Sequence, residues 1–316
     1  VKAAVQASIL SKAADVRALT ESMRSADSII VSESNSSRTD TATDITEKAQ
    51  ELVQLSSKKI KPNPEFDAIV QKVYPGALTN HDLITKATSK LESKGFTTSN
   101  TLLATSLCCD ELARQLEMEF GSIFGKNFNL GGLAGFPFAG NTGFSAMSAH
   151  IPDDGCCLLV YGPHVGITAD GTVGKVERAG IRKADSCCGS AIAASNYVQG
   201  ITSGTIGVSM NVQSFTDFQQ GVVQELILPH GKALEDASSR MEQLPRSLYE
   251  SQDLLMLEIV KKGSAGIKSG GLVMLGGIQI NTRPATLDYF LPMRFDYLDK
   301  EGNLVESMEL VAANGC

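Results

Sequence analysis

The sequence has no tryptophan, only 4 histidines in 316 residues, and no CxxC pair. Zinc fingers and ribbons need closely spaced Cys or His ligands, so that class is excluded. No apolar run approaches the roughly 18 residues of a membrane span. The strongest candidate, Leu272 to Ile280, is short and carries Gly276 and Gly277. An excess of positive charge is missing too: 28 Lys and Arg face 35 Asp and Glu, a net charge of -7. A nucleic-acid binder shows a basic balance or stripe, and neither is present. The one basic cluster, Lys58-Lys59-Ile60-Lys61, reads as a solvated helix end. Seven cysteines are too sparse for a disulfide scaffold, and no repeat of roughly 20–50 residues recurs.

What remains is a globular composition, 42% hydrophobic and 20% charged, long enough for one large domain or two small ones. The chain starts at Val1 rather than methionine, so an upstream piece is expected to be missing, and no targeting peptide is readable from the residues given.

Helical spacing runs through residues 1–24, followed by a polar, hydroxyl-rich linker over 25–44. Thr43-Asp44 caps a helix to about Lys59, Pro64 starts a short one, and Asn80 another to about Ser93, stopped by Gly95. Residues 1–95 are therefore expected to be a helical region packing on an α/β core over 96–316. Leu102 to Leu107 reads as a buried strand ending at Cys108, with Asp110 opening a helix to about Phe120. Cys156 to Tyr161 reads as a second buried strand, running toward Gly162-Pro163-His164. Val165–Ile167 and Val173–Val176 flank an Asp170-Gly171 turn, a hairpin signal. Cys188 precedes a small-residue helix, Ser190 to Val198. Residues 212–262 are mostly helical, with breaks expected at Pro229 and Pro245. Strands follow over Leu272–Ile280, Tyr289–Tyr297 and Leu304–Leu310. The fold class is α/β, a mixed central sheet flanked by helices with a helical N-terminal region.

Six of the cysteines come as adjacent pairs, Cys108-Cys109, Cys156-Cys157 and Cys187-Cys188. Strand end followed by helix start is where open α/β sheets place their sites. Two thiolates, the imidazole of His164 and the nearby Asp110 carboxylate are the parts of a zinc site, which wants about four ligands. Asp110 either ligates the metal itself or accepts hydrogen bonds from a guanidinium, for which Arg178 and Arg182 are the candidates. Each part also has a plainer role: a buried small cysteine, a helix N-cap, a turn histidine. Cys156-Cys157 reads as core packing, and Cys316 as exposed and idle. His81, His150 and His230 read as structural.

Cys108-Cys109-Asp110-Glu111, the loop Gly131 to Gly140, the run His150 to Gly155, Gly162-Pro163-His164-Val165-Gly166-Ile167 and Cys188-Gly189-Ser190-Ala191 together resemble the limiting-CO2-inducible protein B family of algae and diatoms. That family is related to theta-class carbonic anhydrases, with a site plan similar to the beta class. The resemblance implies a beta-carbonic-anhydrase-like fold and a zinc carbonic anhydrase acting on CO2 and bicarbonate in a CO2-concentrating mechanism. It implies Zn2+ held by Cys108, His164 and Cys188, with Asp110 and Arg178 as the catalytic pair beside it and Arg182 in reserve. Cys109 and Cys187 are the alternatives to their neighbours, with side chains expected on the opposite face. A homodimer and a plastid location, stroma or pyrenoid region, are also implied. CO2 needs an apolar pocket, for which Phe136, Phe138 and Phe144 are candidates. The rival functions are a zinc-holding partner-binding protein without turnover and a Cys/His hydrolase. No nucleic-acid partner and no membrane span are expected.

Overall fold

The computed structural model describes residues 63–207 and 216–310. The expected helices over 1–24 and 43–59, the linker over 25–44 and Cys316 lie outside the described residues, as does the start of the helical stretch expected from 212. Elements are numbered within that range.

Helix α1, Pro64–Val73, begins where its sequence dictates. Asn63 Oδ1 accepts from the backbone N–H groups of Glu65 and Phe66, and Pro64 stands where no intrahelical donor is needed. Strand β1, Leu78–Thr79, leads directly into helix α2, Asn80–Ser93, which Thr79 caps through Asp82 N. Both helices lay an apolar face on the core, Phe66 and Val70 from the first, Leu83, Ile84, Ala87 and Leu91 from the second.

The central sheet has eight strands. Strands β2 (Thr101–Ser106), β3 (Asn127–Asn129), β4 (Cys156–Tyr161) and β5 (His164–Gly166) come from the first half of the described chain. Strands β8 (Gly271–Asn281), β9 (Tyr289–Leu298) and β10 (Leu304–Ser307) close it. The order is β1-β9-β8-β4-β2-β3, with β10 also on β9 and β5 also on β8. β3, β2, β4, β5 and β8 pair in parallel, whereas β9 is antiparallel to β8, β1 and β10. The sheet is thus mixed, as expected.

Alternation along the strands divides the apolar residues between two faces. From β4, Cys156, Leu158 and Val160 enter one core cluster, and Cys157, Leu159 and Tyr161 the other. The middle cysteine pair is therefore packing, one sulfur to each face. Between β4 and β5 the chain jogs at Gly162-Pro163, so that β4 lies along the first half of β8 and β5 along its end. Gly162 has φ +155°, and a Cβ there would stand 1.7 Å from the carbonyl oxygen of Gly277. Only glycine lets the backbones approach this closely.

Helices α3 (Arg114–Phe124), α4 (Gly140–Ser148), α5 (Gly189–Thr202), α6 (Phe218–Ile227), α7 (Gly231–Asp236) and α8 (Arg240–Gly263) flank the sheet. Pro229 falls in the expected break, a 3-10 turn over Leu228–His230. Pro245 does not break its helix: it lies buried in the second turn of α8. The lost hydrogen bond is offset by burial of Leu244, Leu248 and Tyr249 around it. The expected Asp170-Gly171 turn is present, with Ile167 bridged antiparallel to Val173, but the hairpin stops there. Lys175–Val176 (β6) pairs instead with Asp185–Ser186 (β7), bringing the chain back toward Cys187.

Candidate metal centre

Cys108 lies just past the end of β2, where parallel-sheet sites form. Its carbonyl accepts from Arg114 Nη2 at 2.5 Å, and the next residue's N–H donates to Gly132 O at 3.2 Å. Asp110 then caps a 3-10 turn over Glu111–Ala113, its Oδ1 accepting from Leu112 N at 3.0 Å. The helix proper starts only at Arg114. His164 opens β5, and Cys188 stands at the N-cap of α5 without a side-chain capping bond.

Three segments far apart in sequence thus converge. The ligand atoms of Cys108, His164 and Cys188 all lie within 4.8 Å of one another. The three residues are 3%, 2% and 5% exposed. His164 Nδ1 faces Asn281 Oδ1 at 2.9 Å, while Nε2 is buried with no hydrogen-bond partner. An orphaned buried nitrogen costs about 1–3 kcal/mol unless something meets it. A metal ion set among two sulfurs and this nitrogen does so, and thiolate with imidazole is a soft donor set. Without an ion the sulfurs share protons. The hydrogen bond from Cys188 pulls Cys108 down to about 3, against its burial and with help from His164. That same bond, together with burial, pushes Cys188 up. Burial opposes charge on His164, but the flanking sulfurs of Cys188, Cys187 and Cys108 raise it well above the usual histidine value. The cluster therefore favours a positive charge at its centre.

Arg178 joins the two cysteine arms. Its Nη1 donates to Ser186 O at 2.8 Å and its Nη2 to Cys187 O at 2.9 Å, fixing the backbone that enters Cys188. Its Nε donates to Glu111 Oε1 at 2.8 Å, and Nη2 lies 3.6 Å from Asp110 Oδ2. The expected Asp110–Arg178 neighbours are adjacent, but the close hydrogen bond goes to Glu111. Arg182 is exposed and apart from these contacts.

The paired cysteines separate. Cys109 is exposed and is not among the three residues whose ligand atoms converge. Cys187 is not the outward neighbour anticipated: it is buried, its Sγ 3.5 Å from His164 Nδ1 and 3.6 Å from Asn281 Oδ1. Cys187 follows the end of β7 and directly precedes the helix N-cap, so strand alternation does not extend to it and both sulfurs stay inside. The apolar cavity beside the centre is not lined by phenylalanine either. Val165, Ile192, Met241, Leu244, Pro245 and Leu248 meet His164 and Cys188 there. Phe136 is core on the same face, Phe138 packs against it, and Phe144 belongs to the opposite face. His81 is exposed, His150 sits edge-on to Phe128, and His230 contacts Ser251 at 2.9 Å, all away from the cluster.

Sequence reasoning missed Gln279 and Asn281. The signal was available: two amides, two residues apart, on one face of an otherwise apolar strand.

A Cys-His-Cys donor set beside a mixed, mostly parallel sheet, with a carboxylate and a guanidinium next to it, is the arrangement of an α/β protein able to hold a metal. Comparison with known families makes the class definite. Residues 77–299, more than half of the chain, match the family described as limiting CO2-inducible proteins B/C beta carbonic anhydrases, and the chain belongs to that family. Among solved structures it is similar to PtLCIB4, a homolog of the limiting CO2-inducible protein LCIB, with 44% identity over 77% of this chain and 99% of that one and a TM-score of 0.72. It also shares the fold of limiting CO2-inducible protein LCIB, at 20% identity over 76% of this chain and 97% of that one, TM-score 0.60. A comparison with curated protein sequences finds no match. No helix among the described residues is long and apolar enough to cross a membrane.

Proposed function

We propose that this chain is a zinc carbonic anhydrase interconverting CO2 and bicarbonate. Two observations carry this: a ring nitrogen of His164 and the sulfurs of Cys108 and Cys188 lie within 4.8 Å of one another, and His164 Nε2 is buried without a hydrogen-bond partner. Cys108, His164 and Cys188 would hold the ion. Zinc, when bound, supplies the Lewis acidity that makes a water molecule nucleophilic near neutral pH.

The chain's own residues do the rest. Asp110 Oδ1 is occupied by Leu112 N, which leaves Oδ2 to accept a hydrogen from the attacking water and aim its lone pair at CO2. Arg178 keeps the Asp110 turn and the Cys187-Cys188 backbone at fixed separation. The cavity lined by Val165, Ile192, Met241, Leu244 and Leu248 offers an apolar, uncharged CO2 an environment that water does not compete for. The proposal extends to a homodimer, a plastid location and a role in a CO2-concentrating mechanism, which sedimentation of the pure protein and imaging of the tagged protein in cells would test.

The deciding experiment is metal content measured together with CO2 hydration. One zinc per chain is expected. Cys108→Ala, His164→Ala and Cys188→Ala should each lose zinc and turnover together. Asp110→Ala should keep zinc and lose most turnover. A ligand variant with full zinc and full activity would sink the assignment.

A second reading, a zinc-holding member without turnover, is favoured by one observation. Arg178 gives its 2.8 Å bond to Glu111 and stands 3.6 Å from Asp110, leaving that carboxylate loosely paired. Stoichiometric zinc without CO2 hydration would decide for it.

A further inference from the structure

Gln279 and Asn281 stand two residues apart on β8 and so point to one face of the sheet. Both are 0% exposed. Burying two amides in an apolar strand costs stability unless they are used. We infer that they form a clamp that positions both halves of the metal centre at once: His164 on one side and the turn carrying Asp110 on the other.

The bonds run as a chain. Asn281 Nδ2 donates to Leu112 O at 3.2 Å and to Asp288 Oδ2 at 3.1 Å. A backbone carbonyl and a buried carboxylate call for a donor, which fixes the amide's orientation and turns Oδ1 toward His164 Nδ1 at 2.9 Å. Oδ1 can only accept, so Nδ1 carries the hydrogen and Nε2 keeps its lone pair for the ion. Gln279 Nε2 donates to the same Leu112 carbonyl at 3.2 Å, while the N–H of Leu112 holds Asp110 Oδ1 at 3.0 Å. Asp288 is anchored in turn by Thr282 N at 2.7 Å and Thr282 Oγ1 at 3.2 Å. Tautomer, ring orientation and carboxylate position are therefore set by two neighbouring side chains. Cys187 Sγ is the other group near Nδ1, at 3.5 Å, longer than the amide contact. Gln279 and Asn281 touch neither ion nor substrate in this scheme: they are positioning residues.

The effect on turnover rests on the carbonic anhydrase reading, but the tautomer and the metal affinity do not. With zinc bound and histidine labelled with 15N, NMR should show the His164 proton on Nδ1 in the wild-type protein and in Cys187→Ala. A proton on Nε2 overturns the clamp, and this measurement needs no variant that might misfold. Asn281→Ala should weaken zinc binding by about 10–100-fold in chelator competition, as loss of an outer-shell partner does. An affinity within about twofold of wild type overturns the His164 half. Gln279→Leu keeps volume and removes an unsatisfied Oε1, so zinc affinity should hold while kcat falls roughly tenfold at unchanged KM. An unchanged kcat in an active enzyme overturns the Asp110 half. Protein that binds zinc with the expected tautomer yet hydrates no CO2 refutes the activity and leaves the His164 half standing.

Discussion

Removing the Arg178 guanidinium is the perturbation that most directly tests how the centre is built. Its contacts differ in weight. The ion pair with Glu111, whose side chain is 68% exposed, is worth under about 1 kcal/mol. The bonds to Ser186 O and Cys187 O are different, because a charged donor there satisfies two carbonyls beside a buried ligand. Such bonds contribute about 1.5–3 kcal/mol each. Arg178 is 19% exposed in its side chain, so water can replace part of that. Arg178→Ala should therefore cost about 3 kcal/mol, read as a lower urea midpoint and a fall in Tm of about 5–10 °C. Arg178→Lys should recover roughly half, since an ammonium cannot span both carbonyls as a planar fork does. Zinc retention should fall with stability, because Cys188 follows directly on the released backbone. An alanine variant within about 1 kcal/mol of wild type, with unchanged zinc, would refute the claim that Arg178 ties the two cysteine arms together.

Phe144→Ala should lose about 3–5 kcal/mol in chemical denaturation, as a fully buried ring does, with zinc content and KM for CO2 unchanged because the ring packs on the opposite face. A raised KM would return it to the pocket. Gly162→Ala should cost at least ~3 kcal/mol and be recovered mainly as insoluble protein, since its Cβ would meet Gly277 O at 1.7 Å; wild-type solubility and stability would contradict that. Burial pushes the Asp288 carboxyl up to about 6, against its bonds from Thr282 and Asn281. The unfolded chain has it near 3.9, so its stabilising protonation is complete below about pH 4 and lost as pH rises through about 6. Asp288→Asn should remove that dependence, making the wild-type minus variant stability larger at about pH 4.5 than at about pH 7.5 by on the order of 2 kcal/mol. Equal differences at both pH values would contradict it.

The strands were legible where apolar residues ran unbroken, as in Cys156–Tyr161. A parallel strand buried on both faces leaves that signature. Cys108, His164 and Cys188 were legible as candidates because each adjoins an element end, and the family motifs selected among them. Partner choice was not legible. Arg178 bonds Glu111 at 2.8 Å and stands 3.6 Å from Asp110, two adjacent acids between which sequence spacing does not choose. Cys187 stays inside because it lies between the end of a two-residue strand and a helix N-cap, where no strand alternation applies. Pro245 misled because its helical cost was weighed without the tertiary burial around it.

The order of the pieces along the chain carries a consequence for biosynthesis. Cys108, His164 and Cys188 are all translated before β8, yet among the described strands β5 pairs only with β8. Until residues 271–281 emerge, the histidine strand lacks the strand it pairs with and its ring lacks the amide that sets it. If the proposed zinc site is real, its loading would be an event of the completed sheet, not of the growing chain. A nascent chain stalled with residue 265 just outside the ribosome should hold zinc no better than an unfolded peptide with the same three ligands, whereas one extended past Asp288 should hold it tightly.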